Sequence, residues 1–104
     1  MAWINLLIAG FWEILWAISL KYSNGFEKLA PTIVTIVGMV ASYYFLAIAT
    51  KKLPIGTAYS IWTGIGAVGT IILGILLFHE DVNFWRILFL IMIIAGIVGL
   101  KITA

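Results

Sequence analysis

Residues 55–78 read IGTAYSIWTGIGAVGTIILGILLF, an apolar run without a single charged side chain, entered from Pro54 and left through His79-Glu80-Asp81. A helix of about 20 such residues crosses the roughly 30 Å hydrocarbon core of a bilayer. The run is continuous and lacks the period-2 alternation of a barrel wall, which leaves the helix as the form that satisfies its own backbone in lipid. Working outward, three more runs of this kind cover about residues 3–20, 31–50 and 84–100, so the 104 residues have room for four spans and little else. The composition agrees, with 64% hydrophobic and 10% charged residues, against about half apolar and a quarter charged in soluble domains. A globule this small could not enclose so much apolar surface. The expected fold is therefore an all-α integral membrane protein, a four-transmembrane-helix bundle forming one domain over residues 1–104.

The connections are short. Asn24-Gly25 tolerates positive φ and suits a tight turn after the first span. Pro31 suits the first turn of the second, and Lys51-Lys52-Leu53-Pro54 is a minimal link that makes the second and third spans antiparallel neighbours. Residues 79–83 close the third span and offer a cap for the fourth. The stretch from Trp3 lacks the basic start and small-residue cleavage site of a signal peptide and is read as part of the mature protein. With no cysteine there is neither a disulfide framework nor a thiolate metal site. Lys51-Lys52 is the only basic pair, and no basic stripe for nucleic acid exists.

Four spans place both termini on one side. Lys51, Lys52 and Lys101 then share that side, and Lys21, Lys28 and Arg86 lie opposite, three against three. The Lys/Arg difference that orients membrane proteins vanishes. Two readings stay open from charge alone: a single, weakly biased topology, or insertion both ways with antiparallel pairing of the two forms.

Glu13 lies near the middle of its span, too deep to reach an interface, and an ionisable group there is functional by default. A protonated carboxyl satisfied by a neighbouring helix is the structural alternative. Its helical face carries Leu6, Ala9, Gly10, Trp16, Ala17 and Leu20, small residues with one large aromatic. Trp16 can aim its indole N–H at Glu13 or wall a cavity beside it. On the second span Thr35, Gly38, Ser42, Phe45 and Ala49 form a small-residue stripe suited to packing. Ser42, near midspan, can bond a carboxylate or its own helix backbone.

Tyr59, Trp62 and Gly66 share a face of the third span, offering polar hydrogens and π faces near Glu13, or simply packing. Gly64-Ile65-Gly66-Ala67-Val68-Gly69 spells a dinucleotide fingerprint, but in mid-membrane it has neither the preceding strand nor an accessible phosphate. Gly64 and Gly66 read instead as close-packing or flexible points of the helix. On the fourth span Ala95, Gly96 and Gly99 form a helix-association patch. Trp3, Tyr22 and Trp85 suit the interfacial belt. His79, Glu80 and Asp81 read as a solvated loop, not a metal site. Catalysis has no candidate residues, and no cofactor is implied.

A single deep carboxylate in a small helical protein holds a cation, a proton, or each in turn, and competition for one site produces exchange. Four helices are few to surround a path, so two antiparallel copies sharing Glu13 in one cavity would be the economical arrangement, an inverted repeat built from two chains. The residues also match a family. Trp12-Glu13-Ile14, the Leu20 to Phe26 turn and the Pro54 to Trp62 stretch, within four short spans, resemble the small multidrug resistance transporters over essentially the whole chain. Trp16 and the Trp62 to Ala67 stretch resemble the guanidinium-exporting subtype, the drug-exporting subtype usually having a small residue at the place of Trp16. Ser60 stands where Ala is expected and, one position from Tyr59, points elsewhere.

The resemblance implies an antiparallel, dual-topology homodimer in the bacterial inner membrane that exports guanidinium ion in exchange for protons. Glu13 of both subunits would bind substrate and protons alternately, Trp16 and Ser42 would orient the carboxylates, and Tyr59 and Trp62 would line the cavity. Gly96 and Gly99 would belong to the dimer-forming helix. The chemistry agrees, because a planar guanidinium offers parallel N–H donors to a carboxylate and its face to aromatic rings. The competing readings are a promiscuous exporter of quaternary ammonium and other hydrophobic cations, and a non-transporting membrane subunit whose Glu13 pairs with a partner helix.

Overall fold

A computed structural model describes residues 1–103. It contains α1 (Ala2–Tyr22), α2 (Leu29–Ala49), α3 (Ile55–Phe78) and α4 (Phe84–Thr103), with no strand among the described residues. The lengths of 21, 21, 24 and 20 residues correspond to about 30 to 36 Å of helix, enough to cross the hydrocarbon core. α2 starts two residues before Pro31, whose missing N–H falls in the first turn, where no intrahelical partner exists.

The turn after α1 is built on Ser23, which is fully buried. Its hydroxyl donates to the Leu20 carbonyl at 2.7 Å and accepts the Phe26 N–H at 3.1 Å, while its own carbonyl accepts the N–H groups of Glu27 and Lys28. Asn24 and Gly25 take positive φ as expected, and Phe26 does so too at 69°, because its N–H is held by Ser23. At the end of α3, His79 adopts the left-handed conformation and directs the Glu80 N–H back to the Gly74 carbonyl. Asn83 caps α4 by accepting the Arg86 N–H at 2.9 Å.

α1 is the central helix. It packs against both α2 and α3, and α4 approaches only α3 closely. The short link between α2 and α3 therefore does not make them the closest neighbours: they touch each other less than either touches α1. The small residues of α1 explain the difference, since Ala9 and Gly10 are buried beside Leu6 and admit neighbouring helices closely. The four helices form a slab of 40 × 35 × 16 Å. At 10 to 12 Å per helix such a slab is less than two helices thick. α4 has no buried residue and presents a broad apolar surface. Lys101 lies 5.6 Å from the Trp3 ring at one end of the slab, and Lys21 lies 5.9 Å from the Phe78 ring at the other.

Candidate functional site

Glu13 sits at the centre of α1, where glycines on the neighbouring helices permit close approach. A Cβ on Gly38 of α2 would stand 2.8 Å from the Trp16 Cβ, and one on Gly66 of α3 would overlap the Glu13 carboxylate. Two glycines thus bring α2 and α3 onto the same turns of α1 from different sides. Further along the α1–α3 seam, Gly69 receives Ile14 in the same way, and a Cβ on Gly10 of α1 would stand 2.6 Å from Ile65. Gly64 faces outward to α4, where its missing Cβ makes room for Ile97. α3 runs through all of these α3 glycines as one helix.

A buried polar chain ends on α1 one turn before Glu13. The Trp62 indole N–H donates to the Ser42 hydroxyl at 2.9 Å, and that hydroxyl donates to the Ala9 carbonyl at 2.7 Å. Ala9 is four residues before Glu13, so its carbonyl also stands at the acceptor position for the Glu13 amide in the helix ladder. The chain ties α3 to α2 and α2 to α1 at the turn that carries the carboxylate. Within the protomer Ser42 therefore bonds Ala9 rather than Glu13. Ser42→Ala should lower stability by about 1 kcal/mol, in the range of interhelical hydrogen bonds in membranes. The measurement is loss of helicity as denaturing detergent displaces a mild one.

Glu13, Trp16, Ala17, Thr63, Gly66, Ala67 and Thr70 line an open cleft of about 250 Å³. Two buried side-chain atoms have no hydrogen-bond partner among the described residues, Glu13 Oε1 and Trp16 Nε1, and the residues of both line this cleft. An unpaired acceptor and an unpaired donor thus lie buried on two residues that line one cleft, in a medium that does not satisfy them. Thr63 and Thr70 escaped the sequence reading. Their signal was present, because positions 63, 66, 67 and 70 recur at helical spacing with two hydroxyls.

Trp62 is 5% exposed and reaches the site through Ser42, whereas Tyr59 is 53% exposed. Neither lines the Glu13 cleft of the protomer; their rings pack 5.5 Å apart, with Tyr43 5.6 Å from Trp62 on its other side. Tyr43, adjacent to Ser42, is a third residue that reading the sequence did not single out. Gly96 and Gly99 on α4 face open space, with nothing within 4 Å of an added Cβ. Ser60 is exposed.

A midspan carboxylate with an unmatched oxygen, on a residue lining a cleft with threonine hydroxyls, supplies the acceptors that a small cation carrying N–H groups would require. Residues 1–93 match the pattern of the family described as Small Multidrug Resistance protein. The chain belongs to the small multidrug resistance family. It is 60% identical to a guanidinium exporter of Yersinia pestis over 104 residues, the whole of both chains. It is 57% identical to a guanidinium exporter of Salmonella typhimurium over 104 residues, all of this chain and 99% of the relative. A guanidinium exporter of Proteus vulgaris is 55% identical, again over the whole of both chains. As a small multidrug resistance protein with four membrane-crossing helices, it is a multi-pass transporter of the bacterial inner membrane.

Proposed function

We propose that the chain exports guanidinium ion from the cytoplasm in exchange for protons, with Glu13 of two antiparallel subunits binding substrate and protons alternately. The observation that carries this reading is the Glu13 carboxylate, central in α1 and laid on Gly66, with one buried oxygen unpaired, on a residue that lines an open cleft. Full-length likeness to guanidinium exporters supports the choice of ion.

Guanidinium presents parallel N–H donors that a carboxylate accepts in bidentate fashion. Trp16 orients a Glu13 carboxylate through its indole N–H and walls the cavity, and Ser42 turns its hydroxyl from Ala9 to the carboxylate as the helices shift. Tyr59 and Trp62 offer ring faces to the planar cation. A slab 16 Å thick with its carboxylate in an open cleft encloses no path by itself, which supports a second, inverted copy. The equal Lys/Arg count at the two ends supports insertion in both directions. α4, with Gly96 and Gly99 facing outward, packs the copies together, and bending at Gly64 and Gly66 lets the cavity open to alternate sides.

The decisive experiment reconstitutes the purified protein in vesicles with an inward proton gradient and compares guanidinium with tetraalkylammonium ions. Guanidinium should move with counterflow of protons. Faster movement of tetraalkylammonium would replace this reading by broad hydrophobic-cation export, and absence of any flux would replace it by a non-transporting subunit.

A further inference from the structure

The Glu13 cleft has a neighbour beyond Thr70. Ala17 and Thr70 also line a second cavity of about 190 Å³, which continues past Gly74 to Lys21, Phe78 and Glu80 at the end of the slab. Along α3 the positions Gly66, Thr70 and Gly74 follow at four-residue spacing on one face and line a groove made of the two adjoining cavities. Each end of that groove holds a carboxylate, because a Cβ on Gly66 would overlap Glu13 and one on Gly74 would overlap Glu80. The two glycines are eight residues apart, about 12 Å along the helix. Thus two adjoining cavities, with Ala17 and Thr70 lining both, follow α3 from the midspan carboxylate to a second carboxylate at the membrane edge.

The outer end already carries cations of the protein itself. Arg86 Nη2 lies 3.5 Å from Glu80 Oε1, and Lys21 Nζ stands 5.9 Å from the centre of the Phe78 ring. The carboxylate and the aromatic face, the two groups that receive a guanidinium, are each occupied by a tethered positive charge, and one of these is a guanidinium. Both partners of the ion pair are partly exposed, at 36% and 45%, so their mutual attraction is weak and a free cation can replace Arg86 at little cost. The C-terminal end of α3, with its unpaired carbonyls, adds negative potential at the same place.

We infer that Glu80 and Phe78 form a second cation site at the edge of the membrane, through which the transported guanidinium passes on its way to or from Glu13, displacing Arg86. The inference rests on the proposed transport of guanidinium for its ligand, and on the groove for its location. A transit site must bind strongly enough to collect the ion and weakly enough to release it. The internal ion pair sets that level, since every binding event must compete with Arg86.

The test measures guanidinium-dependent transport by purified, reconstituted wild-type, Glu80→Gln and Arg86→Gln proteins. Glu80→Gln should raise KM roughly three- to fivefold with kcat unchanged, the size of an exposed charge pair. Arg86→Gln should lower KM by a similar factor, because the competitor is gone. The opposite signs separate a transit site from a structural ion pair, whose loss would impair both variants alike. Equal KM in all three proteins, or a fall in kcat for both variants, overturns the site while leaving the proposed transport intact. A wild-type protein that moves no guanidinium overturns the proposed function and the ligand assigned here.

Discussion

Glu13→Gln is expected to abolish proton-coupled guanidinium exchange, lowering substrate binding by roughly a hundredfold or more, as loss of one partner from a buried charge pair does. The amide keeps the size of the side chain and can still lie on Gly66, so α1 and α3 need not separate. What disappears is the negative charge, and with it both the bidentate acceptor for guanidinium and the group that takes up the counter-transported proton. Stability in detergent should be unchanged or slightly higher, because a neutral amide costs less than an ionised carboxylate where the buried oxygen has no partner. Uptake of labelled guanidinium, together with proton flux in the same vesicles, checks the expectation. Retained exchange by a well-folded Glu13→Gln protein would remove Glu13 from the mechanism.

Gly66→Ala should come close to this loss of function by a different route. The added methyl would overlap the Glu13 carboxylate itself, so either the carboxylate leaves its groove or α3 moves away from α1. Overpacking of this kind costs about 1 to 3 kcal/mol, partly offset by the roughly 1 kcal/mol by which Ala improves a helix interior over Gly. Transport should fall by about tenfold or more, since displacement of a binding group by about 1 Å can cost a hundredfold. Glu13→Asp draws the carboxylate back by one methylene and should partly relieve the clash. In a double-mutant cycle Glu13→Asp and Gly66→Ala should therefore be less harmful together than their separate effects predict. Simple additivity would show that the methyl acts elsewhere. Gly56→Ala is the control, because its added Cβ meets nothing within 4 Å and the residue lies outside both the cleft and the α4 face.

The site was only partly legible before the helices were assembled. Glu13 stood out because a charge in a long apolar run is costly wherever the other helices lie. Ser42 was also visible, as a hydroxyl near midspan, yet its partner was not. Whether it bonds Ala9, its own helix or the carboxylate depends on how α2 rotates against α1, which Gly38 and Trp16 settle by close contact. Thr63 and Thr70 carried a helical spacing but no charge, and the same pattern fits an unremarkable polar stripe until α1 is seen beside it. Tyr43 became notable only when its ring was placed against Trp62.

From the residues alone came four membrane spans, the turn at Asn24-Gly25, the depth of Glu13 and the equal division of basic residues between the two ends. These properties are local: a helix in lipid satisfies its own backbone, and a residue's depth follows from counting along its span. Tertiary structure alone established that α1 lies between α2 and α3, that Gly66 and Gly74 receive carboxylates, and that Trp62 reaches Ala9 through Ser42. Inside a bilayer, lipid tails are as apolar as the helix surfaces, so hydrophobicity does not select which faces meet. That selection rests on shape, on the places where a missing side chain on one helix matches a present one on another, and those matches join residues far apart in the chain.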